Sequence, residues 1–270
     1  MKITFLGGGN MATALIGGLK KQGFSAAGIQ VVEPIDEARE RLTDTYGVRC
    51  SATADVAALN CEVLVLSVKP QIMREALAPM VGHLSGQLVI SIAAGLRLTD
   101  IGRWLGGHHR LVRTMPNTPA LIGAGVTGLY ADPSVDREGR EIAEKILGAV
   151  GTTLWLDEEA QMDAVTAVSG SGPAYVFYFI EALENAAKAL GFADAAARKL
   201  AVETFVGAAR LAEASPDPVS VLRERVTSKG GTTEAALKSF DADGIAGLVL
   251  RGVMAADARG RELGDIMGKD

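Results

Sequence analysis

Cysteine is nearly absent: Cys50 and Cys61 are the only two in 270 residues, and their spacing matches no metal-ligating pattern. A disulfide framework and a structural metal are therefore excluded, and both side chains read as buried thiols of a reducing compartment. Basic surplus is also missing. Lys and Arg total 27 against 32 Asp and Glu, a formal net charge of -5, and no basic cluster stands out, so nucleic acid is not an expected partner. No uninterrupted apolar run is long enough to span a bilayer, and Met1 and Lys2 lead directly into the first apolar segment, leaving no room for a signal peptide. The expected location is cytoplasmic, with no membrane partner. Histidine occurs three times, as His83, His108 and His109, each in a connection near a helix end. Long linkers, low-complexity tracts and internal repeats are absent too. What remains is an ordinary globular composition, 48% hydrophobic and 22% charged, with length for one large domain or two ordinary ones.

The most informative stretch present is residues 3–19, ITFLGGGNMATALIGGL, where an apolar run breaks into three glycines and resumes with helical spacing. Ile3–Leu6 suits a buried parallel strand ending in a tight turn, and a helix is expected from Asn10. Gly7, Gly9 and Ala12 fit the G-x-G-x-x-G/A fingerprint: the first glycine for the turn, the second for a pyrophosphate's approach, the small third residue for helix–strand packing. Free amides at the helix start and the positive end of its dipole would then face the phosphates. A tight turn with no ligand is the plainer alternative.

In chain order, Ile29–Val32 reads as a second strand ending at Glu33, and a charged helix over Asp36–Tyr46 follows. Glu33 stands where an acidic side chain hydrogen-bonds the adenosine ribose hydroxyls, unless it is a solvated strand-end glutamate. No basic residue follows until Arg39, so no cradle for a 2′-phosphate is visible. Further strands are expected at 48–50, 62–68, 87–93, 110–114, 126–130 and 152–156. Helices are expected after Lys69-Pro70, around 98–105 and from near Ser134. The alternation predicts an α/β protein with a doubly wound parallel sheet of Rossmann type over residues 1–160. Its ligand edge would be built from residues 7–12, Glu33, 67–70, 93–95 and 115–119. Strands then vanish. The segment Ser169-Gly170-Ser171-Gly172-Pro173 launches a helix over 174–190, and further helices are expected at 194–214, 219–226, 232–240 and 245–263, giving an all-helical second domain over 161–270.

A nicotinamide enzyme that reduces a ketone must protonate an alkoxide, usually from His, Lys or Tyr. The three histidines lie in connections, and the helix after Ser169 has no lysine before Lys188. Hydride addition to a cationic C=N bond neutralises charge instead of creating an oxyanion, so the sequence is better suited to an imine. The second informative stretch is 226–237, VTSKGGTTEAAL. Two glycines and two threonines at a helix entrance present amides, hydroxyls and a dipole to one point, a carboxylate or phosphate site without arginine. A bare helix cap is the alternative. Residues 245–263 carry a wide apolar surface, with Ile245, Leu248, Val249, Val253 and Ala256 at helical spacing beside Leu250, Met254 and Ala258. Such a surface is expected to be covered by a second chain.

The chain resembles the pyrroline-5-carboxylate reductase family over essentially its whole length. The matches are GGGNMA at 7–12, SVKPQ at 67–71, RTMPNTP at 113–119, AVSGSGPAY at 167–175 and VTSKGGTTEAAL at 226–237. The family usually has proline where this chain has Lys229. The resemblance implies reduction of 1-pyrroline-5-carboxylate to L-proline, the last step of proline biosynthesis, with NADPH or NADH. Cofactor contacts are expected from Gly7, Gly9, Asn10, Met11, Ala12, Glu33 and Ser67. Val68, Lys69 and Pro70, with Asn117, Thr118 and Pro119, would line the nicotinamide pocket. Ser228, Gly230, Gly231, Thr232 and Thr233 would hold the substrate carboxylate, with the Thr233 hydroxyl beside the ring nitrogen as the catalytic group. Homodimers assembling further into decamers are implied as well. Two rivals remain: a 6-phosphogluconate or 3-hydroxyisobutyrate-type dehydrogenase, which needs a catalytic lysine on the first long helix, and a non-catalytic dinucleotide-binding protein.

Overall fold

The structure, a computed structural model, describes residues 1–269. Its eight strands are β1 Ile3–Leu6, β2 Ile29–Val32, β3 Arg49–Ser51, β4 Val63–Leu66, β5 Leu88–Ser91, β6 Leu111–Met115, β7 Gly125–Ala131 and β8 Gly151–Trp155. They form one sheet in the order β3-β2-β1-β4-β5-β6-β7-β8. The helices threaded among them are α1 Asn10–Lys21, α2 Asp36–Tyr46, α3 Val56–Leu59, α4 Met73–Leu77, α5 Leu98–Trp104 and α6 Arg137–Leu147, with α7 Gln161–Val165 after β8. Strands buried along their whole length, such as β1 and the wholly apolar β4, are what a parallel sheet covered on both faces demands. Alternate residues feed two cores: Ile3, Phe5, Val63 and Val65 on one face with Leu15, Ile16 and Leu19 of α1; Leu6, Leu64 and Leu66 on the other with Met73 and Leu77 of α4.

One pairing departs from the expected parallel sheet. β7 runs antiparallel to β6, with Arg113 opposite Tyr130 and Met115 opposite Gly128. Only residues 116–124 join them, and the 3-10 turn Thr118–Ile122 within that stretch is no crossover helix; a parallel return needs a dozen residues or more. The parallel pattern resumes at β8 across α6. A second correction concerns the cysteines. Both are half-buried instead of buried, Cys50 because β3 is the sheet's edge strand and Cys61 because it lies in the connection entering β4. Partial burial still pushes the Cys61 thiol up from its ordinary pKa, a hydrogen bond from Thr4 opposing the shift.

The chain forms two compact units. The first comprises Met1–Ser171 and takes up the chain again from Ala256 onward; the second is Gly172–Ala255. In the first unit the returning segment is fastened to the connection after β5. Arg97 Nη2 lies 2.5 Å from Asp265 Oδ1, Arg103 Nη2 donates to the Gly268 carbonyl at 2.7 Å, and Met267 packs against the core that holds Leu96 and Leu98. The second unit holds α8 Gly172–Ala189, α9 Asp194–Ala214, α10 Val219–Arg225, α11 Thr232–Ala242 and the first half of α12 Ile245–Met267. No residue of α8, α10 or α11 is buried. Tyr178, Leu250 and Met254 remain 69%, 62% and 57% exposed, far more apolar surface than a finished helical core leaves open. No described helix is long and apolar enough to cross a membrane.

Candidate active site

Strand order reverses between β1 and β4, so the crevice beyond their carboxyl ends is where an open α/β sheet binds ligands. The two motifs 7–12 and 67–70 meet there. Gly7 carries φ +101°, and a Cβ on it would lie 2.8 Å from the Ser67 carbonyl oxygen, so the close approach of the two strand ends admits glycine alone. The Ser67 hydroxyl fastens the same junction, donating to the carbonyls of Gly7 at 2.7 Å and Leu6 at 3.0 Å. Gly9 differs from Gly7: its φ of -67° suits any residue, and a Cβ there would meet nothing within 4 Å. It is the N-cap of α1 and offers no side chain, so the first-turn amides of Asn10, Met11 and Ala12 are left for an external acceptor. Ala12, 1% exposed, packs the helix on the sheet. Open space at Gly9 beside uncapped amides fits a pyrophosphate.

Glu33 is 8% exposed and is no solvated strand-end residue. Its Oε2 accepts from the Gly8 amide at 2.9 Å and its Oε1 from the Ile35 amide at 3.0 Å. Val68 is half-buried against the second core, Lys69 is exposed, and Pro70 opens the 3-10 turn Pro70–Ile72 that leads into α4.

At the carboxyl end of β6, Asn117 is buried with its amide committed. Oδ1 accepts from the Val126 amide at 2.9 Å, and Nδ2 donates to the Ser169 carbonyl at 3.3 Å and hydroxyl at 3.2 Å. The side chain thus ties the RTMPNTP and AVSGSG motifs together within the first unit, leaving exposed Thr118 and half-buried Pro119 facing outward. The tie falls on a π-helical turn, Thr166–Gly170, a distortion frequent at functional sites. Arg113, in the middle of β6, was quoted in a motif but given no role by sequence reasoning. Its buried guanidinium reaches Glu159 and Asp163 at 3.2 Å each, and Glu159 also accepts from the Leu98 amide at 2.8 Å. The signal was present: a charge inside the apolar strand LVRTM has to be paired. His83, His108 and His109 all precede β5 or β6, at the amino ends of the strands and away from the crevice. Burial lowers the pKa of His108, whose Nε2 sits 2.9 Å from the Gln87 carbonyl.

In the second unit, residues 228–231 form a tight turn. The Gly231 amide donates to the Ser228 carbonyl at 3.0 Å, and Gly230, the third residue, has φ +73°. Lys229 occupies the position that such a turn fills with proline, so the lysine keeps the turn but gives up the preset φ, worth about 0.4–1 kcal/mol. Glu234 braces the turn by accepting from the Gly230 amide, and it also pairs with Lys238 at 3.0 Å. Those two contacts, the amide first, hold its carboxyl below the usual range; the brace is present at neutral pH and is lost as pH falls through that lowered pKa. Gly231 caps α11 without a side chain, leaving the Thr232, Thr233 and Glu234 amides free of helical partners. Thr232 is exposed and Thr233 half-buried, and neither hydroxyl is bonded among the described residues. Lys188, the one lysine of α8, sits at its far end, paired with Glu184 at 2.9 Å and Asp194 at 3.3 Å.

Comparison with known proteins agrees with this architecture. A family model described as pyrroline-5-carboxylate reductase dimerisation matches residues 159–263, and one described as NADP oxidoreductase, coenzyme F420-dependent, matches 2–95. The pyrroline-5-carboxylate reductase of Pseudomonas aeruginosa is 45% identical over 99% of this chain and 98% of its own. The structure of such a reductase from Coxiella burnetii superimposes with a TM-score of 0.92 at 40% identity, covering 97% of this chain and 98% of that one. The Plasmodium falciparum pyrroline carboxylate reductase, solved with NADP bound, does so at 0.87 and 27% identity, covering 98% of each. Identity at this level over the full length leaves one assignment: the chain belongs to the pyrroline-5-carboxylate reductase family.

Proposed function

We propose that this protein reduces the C=N bond of 1-pyrroline-5-carboxylate to L-proline with NADPH or NADH. The observation that carries the reading is full-length identity to reductases of that name, joined to a glycine-threonine helix start able to hold a carboxylate. The bound nicotinamide supplies the hydride. Gly9 and the free amides of α1 take the pyrophosphate, Glu33 serves the adenosine ribose, and the segments 67–70 and 117–119 frame the nicotinamide. Ser228, Gly230, Gly231, Thr232 and Thr233 bind the substrate carboxylate through amides and hydroxyls. The Thr233 hydroxyl orients the ring nitrogen, whose positive charge the incoming hydride cancels. No oxyanion forms, so no lysine or histidine acid is required, consistent with histidines at the opposite edge and Lys188 held in ion pairs.

The test is oxidation of reduced nicotinamide with 1-pyrroline-5-carboxylate and, in parallel, with an oxoacid of the 3-hydroxyisobutyrate type. Turnover on the pyrroline alone is expected. Equal turnover on both would sink the reading in favour of the hydroxyacid dehydrogenases, and turnover on neither would favour a non-catalytic binder.

The same reading extends to assembly. The exposed apolar faces of α8 and α12 support a homodimer joined through the second unit, assembling further to a decamer. Light scattering across a dilution series, with activity read at each point, should give a mass at least twice that of one chain. A fully active monomer would refute it.

A further inference from the structure

We infer that Glu33 makes this protein select NADH against NADPH. The inference rests on the dinucleotide site proposed above and concerns which dinucleotide that site accepts. Glu33 follows the last residue of β2, the position whose side chain meets the adenosine ribose in this sheet architecture. Its carboxylate is immobilised from two sides, by the Gly8 amide of the glycine turn and the Ile35 amide of the turn into α2. A charge held this way cannot swing aside for a phosphate. Each oxygen still has acceptor capacity, because an ionised carboxylate offers about four lone-pair sites and the amides use two. A ribose 2′-hydroxyl is a donor that those sites suit; a 2′-phosphate is an anion they repel.

The surroundings offer the phosphate no compensation. Asp36 and Glu37 add two exposed carboxylates in the first turn of α2. Arg39 is the first basic residue after β2, and it is already engaged: Nη1 donates to the Glu33 carbonyl at 2.7 Å and Nη2 pairs with Asp36. The guanidinium that would otherwise cradle a 2′-phosphate therefore serves to neutralise the acidic turn.

Calorimetric titration of the full chain with ADP-ribose and with 2′-phospho-ADP-ribose reads the site without turnover. Tighter binding of ADP-ribose by at least about tenfold is expected, with the same order in kcat/KM for NADH over NADPH. Glu33→Gln keeps a carbonyl for one amide and removes the charge, and it should shift the ratio toward the phosphorylated ligand by about tenfold. Should that variant fold poorly, Asp36→Asn leaves both amide contacts of Glu33 in place, removes one carboxylate and releases Arg39 Nη2 from its ion pair, and it should narrow the preference in the same direction. A native protein that binds the phosphorylated fragment equally well or better overturns the inference while leaving the reductase reading intact. An unchanged ratio in both variants removes Glu33 and its turn as the cause. Failure of both fragments to bind would overturn the dinucleotide site itself.

Discussion

Gly9→Asp is expected to leave the protein folded, with Tm unchanged or raised, and to weaken NADH and ADP-ribose binding by on the order of a hundredfold, about 2.7 kcal/mol. The two halves of this expectation have separate causes. A side chain at Gly9 enters open space, its backbone is extended, and aspartate is among the best N-cap residues. The new carboxylate would satisfy the amides of α1 from within the chain and so occupy the seat of the pyrophosphate. Two residues earlier the same kind of change should act in the opposite way. Gly7→Ala forces a Cβ onto a positive φ and against the Ser67 carbonyl, a cost of at least about 1–3 kcal/mol that appears as a lower Tm. Thermal unfolding and nucleotide titration of the two variants separate a binding glycine from a folding glycine. Normal nucleotide binding by Gly9→Asp would show that the start of α1 is not the phosphate seat.

Thr233→Ala should lower kcat by about thirtyfold, since a positioned hydrogen bond that strengthens in the transition state is worth on the order of 2 kcal/mol. Thr232→Ala should lose less. Both threonines lie in the first turn of α11 with unengaged hydroxyls, but they point about 100° apart around the helix axis, so one ligand atom does not use both alike. Thr233 is the more sheltered, and it is the one proposed above to orient the reacting nitrogen. Thr233→Ser, which keeps the hydroxyl, should recover most of the rate. A Thr233→Ala enzyme with raised KM and native kcat would make the threonine a uniform binder and remove its catalytic role.

Features that depend on neighbours in sequence are legible in the chain, some of them to the residue. The bounds of β1, β2, α2 and α9 follow from apolar spacing closed off by glycine, proline or an acidic start, and the structure has them at the expected positions. The direction of β7 depends instead on connection length. The prolines of the loop 116–124 mark a turn, but it is the shortness of the loop that imposes the antiparallel return. The clasp of Glu33 on Gly8, the grip of Asn117 on Ser169 and the pairing of Arg113 with Asp163 join residues 25, 52 and 50 apart, and no local pattern names the partner. The same holds for the organisation of the chain. A boundary at 160/161 follows the last strand, a local cue, whereas the return of the chain from Ala256 to the first unit rests on contacts such as Arg97 to Asp265.

That return sets an order of events during synthesis. The nucleotide-binding sheet leaves the ribosome before the helical unit, yet the segment that covers the connection after β5 is made only after that whole unit, 168 residues beyond Arg97. N-terminal domains ordinarily fold as they emerge, and contacts between residues so distant in sequence form late. The unit whose sheet is translated earlier is therefore completed only after the helical unit has been made, and the nascent sheet carries an uncovered patch around Leu96 and Leu98 until Met267 arrives.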